Sequence, residues 1–315
     1  MIDTIRIYTD EYSVISAFDL NCLSNLKTNK TKLKTYYTGK LFNFFISYSE
    51  TMLSIQGSLP KFYLGNNIQV MTKDEINKAI KKLEDVLDFS LDNFRISKLD
   101  IGATFEMDYS IHSYLDCLLY VPRYKITTYP GESKTFYTNQ KALLIYDKIE
   151  ESMKKKVSRN EVLKNGLEDK FMIRYELQIK KVSEVCGKTY VTDLKEDKFI
   201  KKILILWRNE FKKIKKEKKV LNFEEIDIDK PNDFFLFLAF GKIDDLGKEK
   251  TYRLLKKLEI TGKIKPSSYY NIQSKIKDSK SKFSLTSKYI EELENKIDTF
   301  SNNYLNSKTL KRKII

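Results

Sequence analysis

Two carboxylates, a tyrosine and a lysine lie in three short segments of alternating polarity. Together they are the parts of a metal-assisted tyrosine nucleophile. The segments are KLDIGATFE (Lys98 to Glu106), KALLIYDK (Lys141 to Lys148) and MIRYELQIKK (Met172 to Lys181). A strand turns successive residues to opposite faces. In the first segment Leu99, Ile101, Ala103 and Phe105 therefore share one face, and Asp100, Gly102, Thr104 and Glu106 the other. In the third, Ile173, Tyr175, Leu177 and Ile179 oppose Arg174, Glu176 and Gln178. In the second, Ala142, Leu144, Tyr146 and Lys148 point the same way. A sheet with one face on a core would present Asp100, Tyr146, Lys148 and Glu176 together on the other.

A phenol ionises near pH ~10, so tyrosine needs help to attack at neutral pH. A nearby cation favours the phenolate, and Lys148, two residues on, is placed to supply that charge and to stabilise a phosphorane-like transition state. Asp100 and Glu176, from different strands, are the expected ligands of a divalent cation. Hard oxygen ligands favour Mg²⁺ or Mn²⁺ over zinc. Such an ion would polarise a phosphodiester and neutralise its developing charge, giving a covalent phosphotyrosine. Glu106, on the same polar face as Asp100, is either a third ligand or a solvated strand end. The competing reading is a solvated sheet face, in which Asp100 and Glu176 pair with Arg95, Arg174 or lysines; the chain has 20 tyrosines. The single histidine, His112, excludes two-histidine metal centres and reads as a structural or surface residue.

The elements that must position these groups follow from periodicity. TIRIYT, KLKTYYT, LFNFFISYSE and TMLSIQG read as strands. GSLPKFYLGNN reads as a structured loop. Thr72 with Glu75 has capping-box spacing and opens a helix carrying Ile76, Ile80, Leu83 and Leu87. A helix from Ser110 and an extended stretch broken at Pro130-Gly131 precede KALLIYDK. The order predicts an α+β domain with a largely antiparallel sheet and helices on one face. Phe42, Phe44, Phe45, Tyr36 and Tyr37 are either core or stacking platforms for single-stranded bases, and Phe42 and Phe44 on one face favour core.

Beyond Lys195 the pattern turns helical, with a stripe of Ile200, Ile203, Leu204, Trp207, Phe211 and Ile214 opposite lysines. The expected division is residues 1–195 and a basic helical domain, 196–315. In that domain KEKTYRLLKKLEITGKIKPSSYYNIQSKI has the look of a helix-turn-helix duplex reader. The net charge of +15 is uneven, with 28 basic and 16 acidic residues in 201–315 and near neutrality before. That imbalance points to a polyanion, unless it is a lysine-rich compositional bias. No run reaches the roughly 18 apolar residues of a membrane span. No signal peptide is visible, and three scattered cysteines suit a reducing cytoplasm.

The ordered set resembles the filamentous-phage replication initiators, the gene-two/X group of rolling-circle nicking proteins, and more distantly the Rep-trans plasmid initiators. MIDTIRI is similar to that family's opening strand, and GSLPKFYLGNN to its S-x-P-K-x-x-x-G-x-N loop. SKLDIGATFE resembles its S-R-I-D-x-x-F strand, ALLIYDK its strand ending Y-x-K, and MIRYELQIKK its V-R-F-E-x-x-I-K strand. The resemblance covers about residues 1–200. It implies a replication protein of a bacterial host cell's cytoplasm. It makes Tyr146 the nicking nucleophile with Lys148 as companion, and Asp100 and Glu176 the metal site. Lys61, Asn66, Asn67, Arg174, Lys180 and Lys181 are then expected to contact DNA. The implied substrate is a single-stranded or extruded origin within duplex DNA, with host helicase and polymerase as further partners. The alternative is a non-catalytic origin binder or regulator.

Overall fold

The computed structural model describes residues 1–31, 35–154, 156–217, 220–221, 231–282 and 285–306. The chain forms two compact units, Met1–Lys216 with Glu292–Ile315, and Glu217–Glu291. The first unit thus runs past the expected end at 195 and takes back the end of the chain. The reason is the apolar stripe carrying Trp207 and Phe211, which packs on the sheet of the first unit rather than founding a second core.

In the first unit, β1 (Ile2–Thr9) and a short helix α1 (Tyr12–Ala17) lead to β2 (Ser24–Lys30), β3 (Thr35–Leu41), β4 (Phe44–Ser49) and β5 (Met52–Ser58). Then come α2 (Leu59–Leu64), α3 (Lys73–Leu87), β6 (Arg95–Met107), α4 (Ile111–Asp116), β7 (Leu118–Tyr120), β8 (Lys125–Tyr129), β9 (Ser133–Tyr137) and β10 (Lys141–Asp147). Next are α5 (Lys148–Met153), α6 (Lys156–Lys164), β11 (Phe171–Ile179), α7 (Val182–Val185), α8 (Asp197–Lys212) and β12 (Lys215–Lys216). The second unit holds β13 (Val220–Leu221), α9 (Pro231–Leu246), α10 (Lys248–Ile260), α11 (Pro266–Lys282) and β14 (Leu285–Thr286). Helix α12 (Lys288–Asn306) belongs to the first unit from Glu292 on.

Ten strands form one sheet in the order β2-β3-β4-β5-β1-β6-β11-β10-β9-β8. Every pairing in it is antiparallel. Register fixes the faces. Leu99, Ile101, Ala103, Phe105, Ile173, Tyr175, Leu177 and Ile179 are fully buried. Against them stand Trp207 and Phe211 of α8 and Phe300 of α12, with the Tyr175 and Trp207 rings 4.8 Å apart and the Phe105 and Phe300 rings 5.8 Å apart. Each such leucine, isoleucine or phenylalanine contributes about 1.5–3 kcal/mol by leaving water. Tyr175 keeps its hydroxyl bonded inside this layer, donating to the Trp207 carbonyl at 2.9 Å.

Several local features differ from the sequence expectations or extend them. SNLKTNK forms an edge strand, β2, although its apolar pattern is weak. The loop after β5 contains helix α2, whose N-cap Ser58 accepts from the Lys61 amide. LFNFFISYSE is not one strand: β3 and β4 meet at a turn centred on Phe42 and Asn43, which exposes Phe42 at φ 54 while Phe44 is buried. The α3 capping box forms as its spacing predicts. His112 is exposed beside Asp116. No described helix is long and apolar enough to cross a membrane.

Candidate active site on the polar sheet face

The segments carrying Asp100, Tyr146 and Glu176 are neighbours in space. β11 lies between β6 and β10, with Glu176 opposite Gly102 and Leu144, and Arg174 opposite Thr104 and Tyr146. Side chains in register stand on one face, so Asp100, Glu176, Arg174 and Tyr146 share the face away from α8. Three of them are buried there too, under the 65–71 loop and α5: Asp100, Arg174 and Glu176 are 4%, 2% and 7% exposed, and Tyr146 is half-buried.

Arg174 organises the cluster. Its Nε donates to Glu176 Oε1 at 2.5 Å and its Nη2 to Asp3 Oδ2 at 2.5 Å. Its Nη1 donates to Thr104 Oγ1 at 3.0 Å and to the Asn67 carbonyl at 2.8 Å. A guanidinium with each nitrogen bonded, two of them to carboxylates, is a rigid fork. Despite its burial Arg174 is held firmly protonated by the Glu176 and Asp3 carboxylates. Gly102 makes room for this fork, since a Cβ there would lie 2.8 Å from Glu176 Cγ and 3.2 Å from Arg174 Nη2.

Asp3 is the carboxylate that sequence reasoning missed. Strict alternation puts it on the apolar side with Ile5 and Ile7. A register shift between Ile2 and Ile5 against β6 accompanies its turn toward Arg174. Ser58 donates to its Oδ1 at 2.6 Å and Asn67 to its Oδ2 at 3.1 Å. Burial pushes its pKa up, but Arg174, Ser58 and Asn67 outweigh that and hold it below the usual value. A lone carboxylate in the row that Ile5 and Ile7 continue was the available signal.

The Tyr146 hydroxyl donates to Glu176 Oε1 at 2.9 Å. Burial drives its pKa well above 10, with Arg174 opposing and Glu176 and Glu151 adding to the rise. The group is therefore a neutral phenol with a proton acceptor in place, not a pre-formed phenolate. Lys148 does not continue β10 as expected. Asp147 caps α5 by accepting from the amides of Ile149 and Glu150, and Lys148 is the first residue of that helix. Its Nζ donates to Glu151 at 2.8 Å and to Asn67 Oδ1 at 3.2 Å, and lies 5.9 Å from the Tyr146 ring centroid. Burial and Arg174 lower its pKa. Among the cations, Arg174 acts most strongly on Tyr146. Tyr146 and Glu176 line an open cleft of about 300 Å³ with Glu132, Asp147, Glu150, Glu151 and Lys154, an acid-rich wall.

Residues 10–193 match the family described as the N-terminal region of the phage replication-associated gene-two protein. The chain belongs to this family of rolling-circle replication initiators. No individual curated protein matches it. Among solved structures it is similar to a rolling circle replication initiator protein from Geobacillus stearothermophilus, at 10% identity and a TM-score of 0.34, over 65% of this chain and 83% of that one. That likeness is too distant to transfer any residue.

Within this initiator the other expected residues scatter. Glu106 is six residues from Asp100 along β6, roughly 20 Å away, and pairs with Lys170, so it does not join the carboxylates. Arg174 has its donors committed inside the protein, which suits positioning rather than phosphate contact. Asn67 clasps Asp3, Lys148 and Arg174, whereas Asn66 accepts from the amides of Ile68 at 3.1 Å and Gln69 at 3.4 Å and shapes the loop. Lys180 lies over the Tyr137 ring and Lys181 pairs with Glu184, both beyond the end of β11. Lys61 lines a separate cleft with Lys40, Phe42 and Phe45.

The fit of a divalent ion is tested by the carboxylate oxygens. Among the described residues no three His, Cys, Asp or Glu side chains are grouped to hold a metal. Both oxygens of Asp3 are taken. Asp100 Oδ2 pairs with Lys98 at 3.0 Å, but its Oδ1 is buried without a partner. Burial raises the Asp100 pKa to about 7, against the opposing pull of Lys98. An unpartnered buried carboxylate oxygen fits a cation, and Mg²⁺ commonly needs only one or two protein carboxylates besides phosphate and water.

Proposed function

We propose that this initiator nicks one strand of its origin with Tyr146. The observation that carries the reading is the 2.9 Å hydrogen bond from the Tyr146 hydroxyl to Glu176 at the wall of an open cleft. A nucleophile within hydrogen-bond reach of a base, with the base oriented by a third group, is the arrangement covalent catalysis needs. Here Arg174 is the orienting group. The phenol oxygen attacks the scissile phosphorus as its proton passes to Glu176. The bond to the 3′ oxygen breaks, that oxygen gains a proton, and the 5′ phosphate stays on Tyr146. Transesterification conserves the bond, so a later 3′ hydroxyl can reverse it and rejoin the strand. Meanwhile the free 3′ hydroxyl serves a host polymerase, behind a host helicase.

Asp100 Oδ1 and the second oxygen of Glu176 are the atoms that would hold Mg²⁺ or Mn²⁺, and the ion would neutralise charge developing on the phosphate. An acid-rich cleft supports that need, because it repels a bare phosphodiester. Lys148, bonded to Glu151 and Asn67, braces α5 over Tyr146.

Supercoiled origin DNA incubated with the protein and Mn²⁺ or Mg²⁺ tests the reading. The wild type should yield nicked circles and a covalent adduct, and Tyr146→Phe neither. Nicking that survives Tyr146→Phe moves the nucleophile elsewhere, with Tyr137 next. Origin binding by the wild type without any cleavage would favour the non-catalytic origin binder.

A further inference from the structure

The second unit lies wholly outside the residues that match the family, 10–193, so that match assigns it nothing. Its three helices α9, α10 and α11 each contact the other two. Phe237 and Phe240 of α9, Leu255 of α10 and Ile276 of α11 are buried, as are Tyr289 and Ile290 at the start of α12.

The connection between α10 and α11 is tightly defined. Helix α10 ends as the amides of Gly262 and Lys263 donate to the carbonyls of Glu259 and Leu258, both at 2.9 Å. Gly262 takes φ +71, which a side chain would resist. Pro266 then opens α11, where its missing N–H costs nothing. The result is two helices joined by a five-residue turn and backed by a third.

Charge is distributed unevenly over this unit. Residues 261–282, the turn and α11, contain six lysines and one acidic residue, whereas α9 contains one lysine and three aspartates. Along α11, Ser267, Tyr270, Asn271 and Ser274 are exposed and recur at three- and four-residue intervals, so they share a face. Ser267, Tyr270 and Asn271 offer hydroxyl and amide groups, and Ser274 donates to Asp278 at 3.4 Å, the one acid of α11, where this polar stretch ends. Tyr269 and Gln273 instead bond to each other at 2.8 Å, and Lys256 of α10 lies over the Tyr269 ring.

We infer that this unit binds duplex DNA, with α11 in the major groove and the turn lysines on the backbone. Amide and hydroxyl side chains read base edges there, asparagine pairing bidentately with adenine. Lys263 and Lys265, exposed in the turn, are placed for phosphates. The charge complementarity selects nucleic acid over an apolar partner. A deep, narrow RNA major groove would not admit the helix, which selects DNA. The nicking domain would then be delivered to its origin by a separate duplex contact.

The test uses the full chain and a random 30-base-pair duplex library, with chelator present and no cleavage. It therefore stands or falls independently of Tyr146. The wild type should enrich a discrete sequence. Asn271→Ala with Tyr270→Ala should lose about tenfold or more in preference for that sequence over scrambled duplex. Lys263→Ala with Lys265→Ala should weaken all duplexes alike and lower the slope of log affinity against log salt by about 1–2. All four positions are solvent-accessible, so thermal melting should be unchanged and misfolding is checked directly. Unaltered affinity, preference and salt slope in both variants would overturn the inference and leave the face to a protein partner.

Discussion

On one face of β11, Ile173, Tyr175, Leu177 and Ile179 are buried against α8 and α12; on the other, Arg174 and Glu176 are buried almost as deeply and carry charge. The two faces are stabilised by different physics. Apolar burial is non-directional, so its contribution follows area and tolerates small shifts. The charged face is directional. Arg174 bonds Asp3 from β1, Thr104 from β6, Glu176 from its own strand and the Asn67 carbonyl, and each partner depends on the others being present. A charged cluster can thus be buried as deeply as a core when its charges meet opposite ones.

Arg174→Met should have the largest effect on stability. It leaves the Asp3 and Glu176 carboxylates buried without their cation, at a cost of about 3–5 kcal/mol in urea unfolding. A loss below about 1 kcal/mol would mean the cluster is wetter than described. On the opposite face Leu177→Ala should cost about 2–5 kcal/mol through its cavity. The contrast is in the coupling. Arg174→Met and Asp3→Asn should be non-additive by at least about 1 kcal/mol, whereas Asp3→Asn and Leu177→Ala should add to within about 0.5 kcal/mol. Additivity in both cycles would erase the distinction between the faces.

Gly102→Ala is a smaller and more selective disturbance. Its new Cβ would meet Glu176 Cγ at 2.8 Å, so Glu176 must shift away from Tyr146. Overpacking of this kind costs about 1–3 kcal/mol. Nicking of an origin substrate should fall by more than the melting shift accounts for, and equal losses in both would separate Gly102 from the site.

The smallest effect is a pH dependence. Asp100 has a folded pKa of about 7 against an ordinary 3.8, so near neutrality the folded protein holds a proton that the unfolded chain has lost. Stability attributable to this group is therefore lost as pH rises from about 4 through about 7. Asp100→Asn, which never ionises, should raise the melting temperature by a few degrees at pH 8 in chelator, with the gain shrinking toward pH 4. A gain independent of pH would show that Asp100 stays ionised.

Much of this site was legible in the sequence because strand alternation is a strict rule. LDIGATFE and IRYELQI put Asp100, Arg174 and Glu176 on one side, and register then brought Tyr146 of β10 beside them. What alternation could not supply is any departure from it. The bulge that turns Asp3 inward depends on contacts with β6 and Arg174, which no local pattern announces, whereas the Asp147 cap that makes Lys148 helical is local, with Glu150 three residues on, and strand alternation carried through Lys148 overran it. The edge strand β2 and the short helix α2 escaped for a similar reason: their local signals are weak.

The sequence alone determined the polarity of each face, the α3 capping box, the absence of a histidine pair and the basic bias of the second half. Only the tertiary structure decided how the charges are shared. It gave the Tyr146 proton a carboxylate acceptor, committed Arg174 to the interior and sent Glu106 to Lys170. Periodicity fixes the direction in which a side chain leaves its strand. Which partner it meets depends on residues distant in the chain, and for buried charges the partner sets the chemistry.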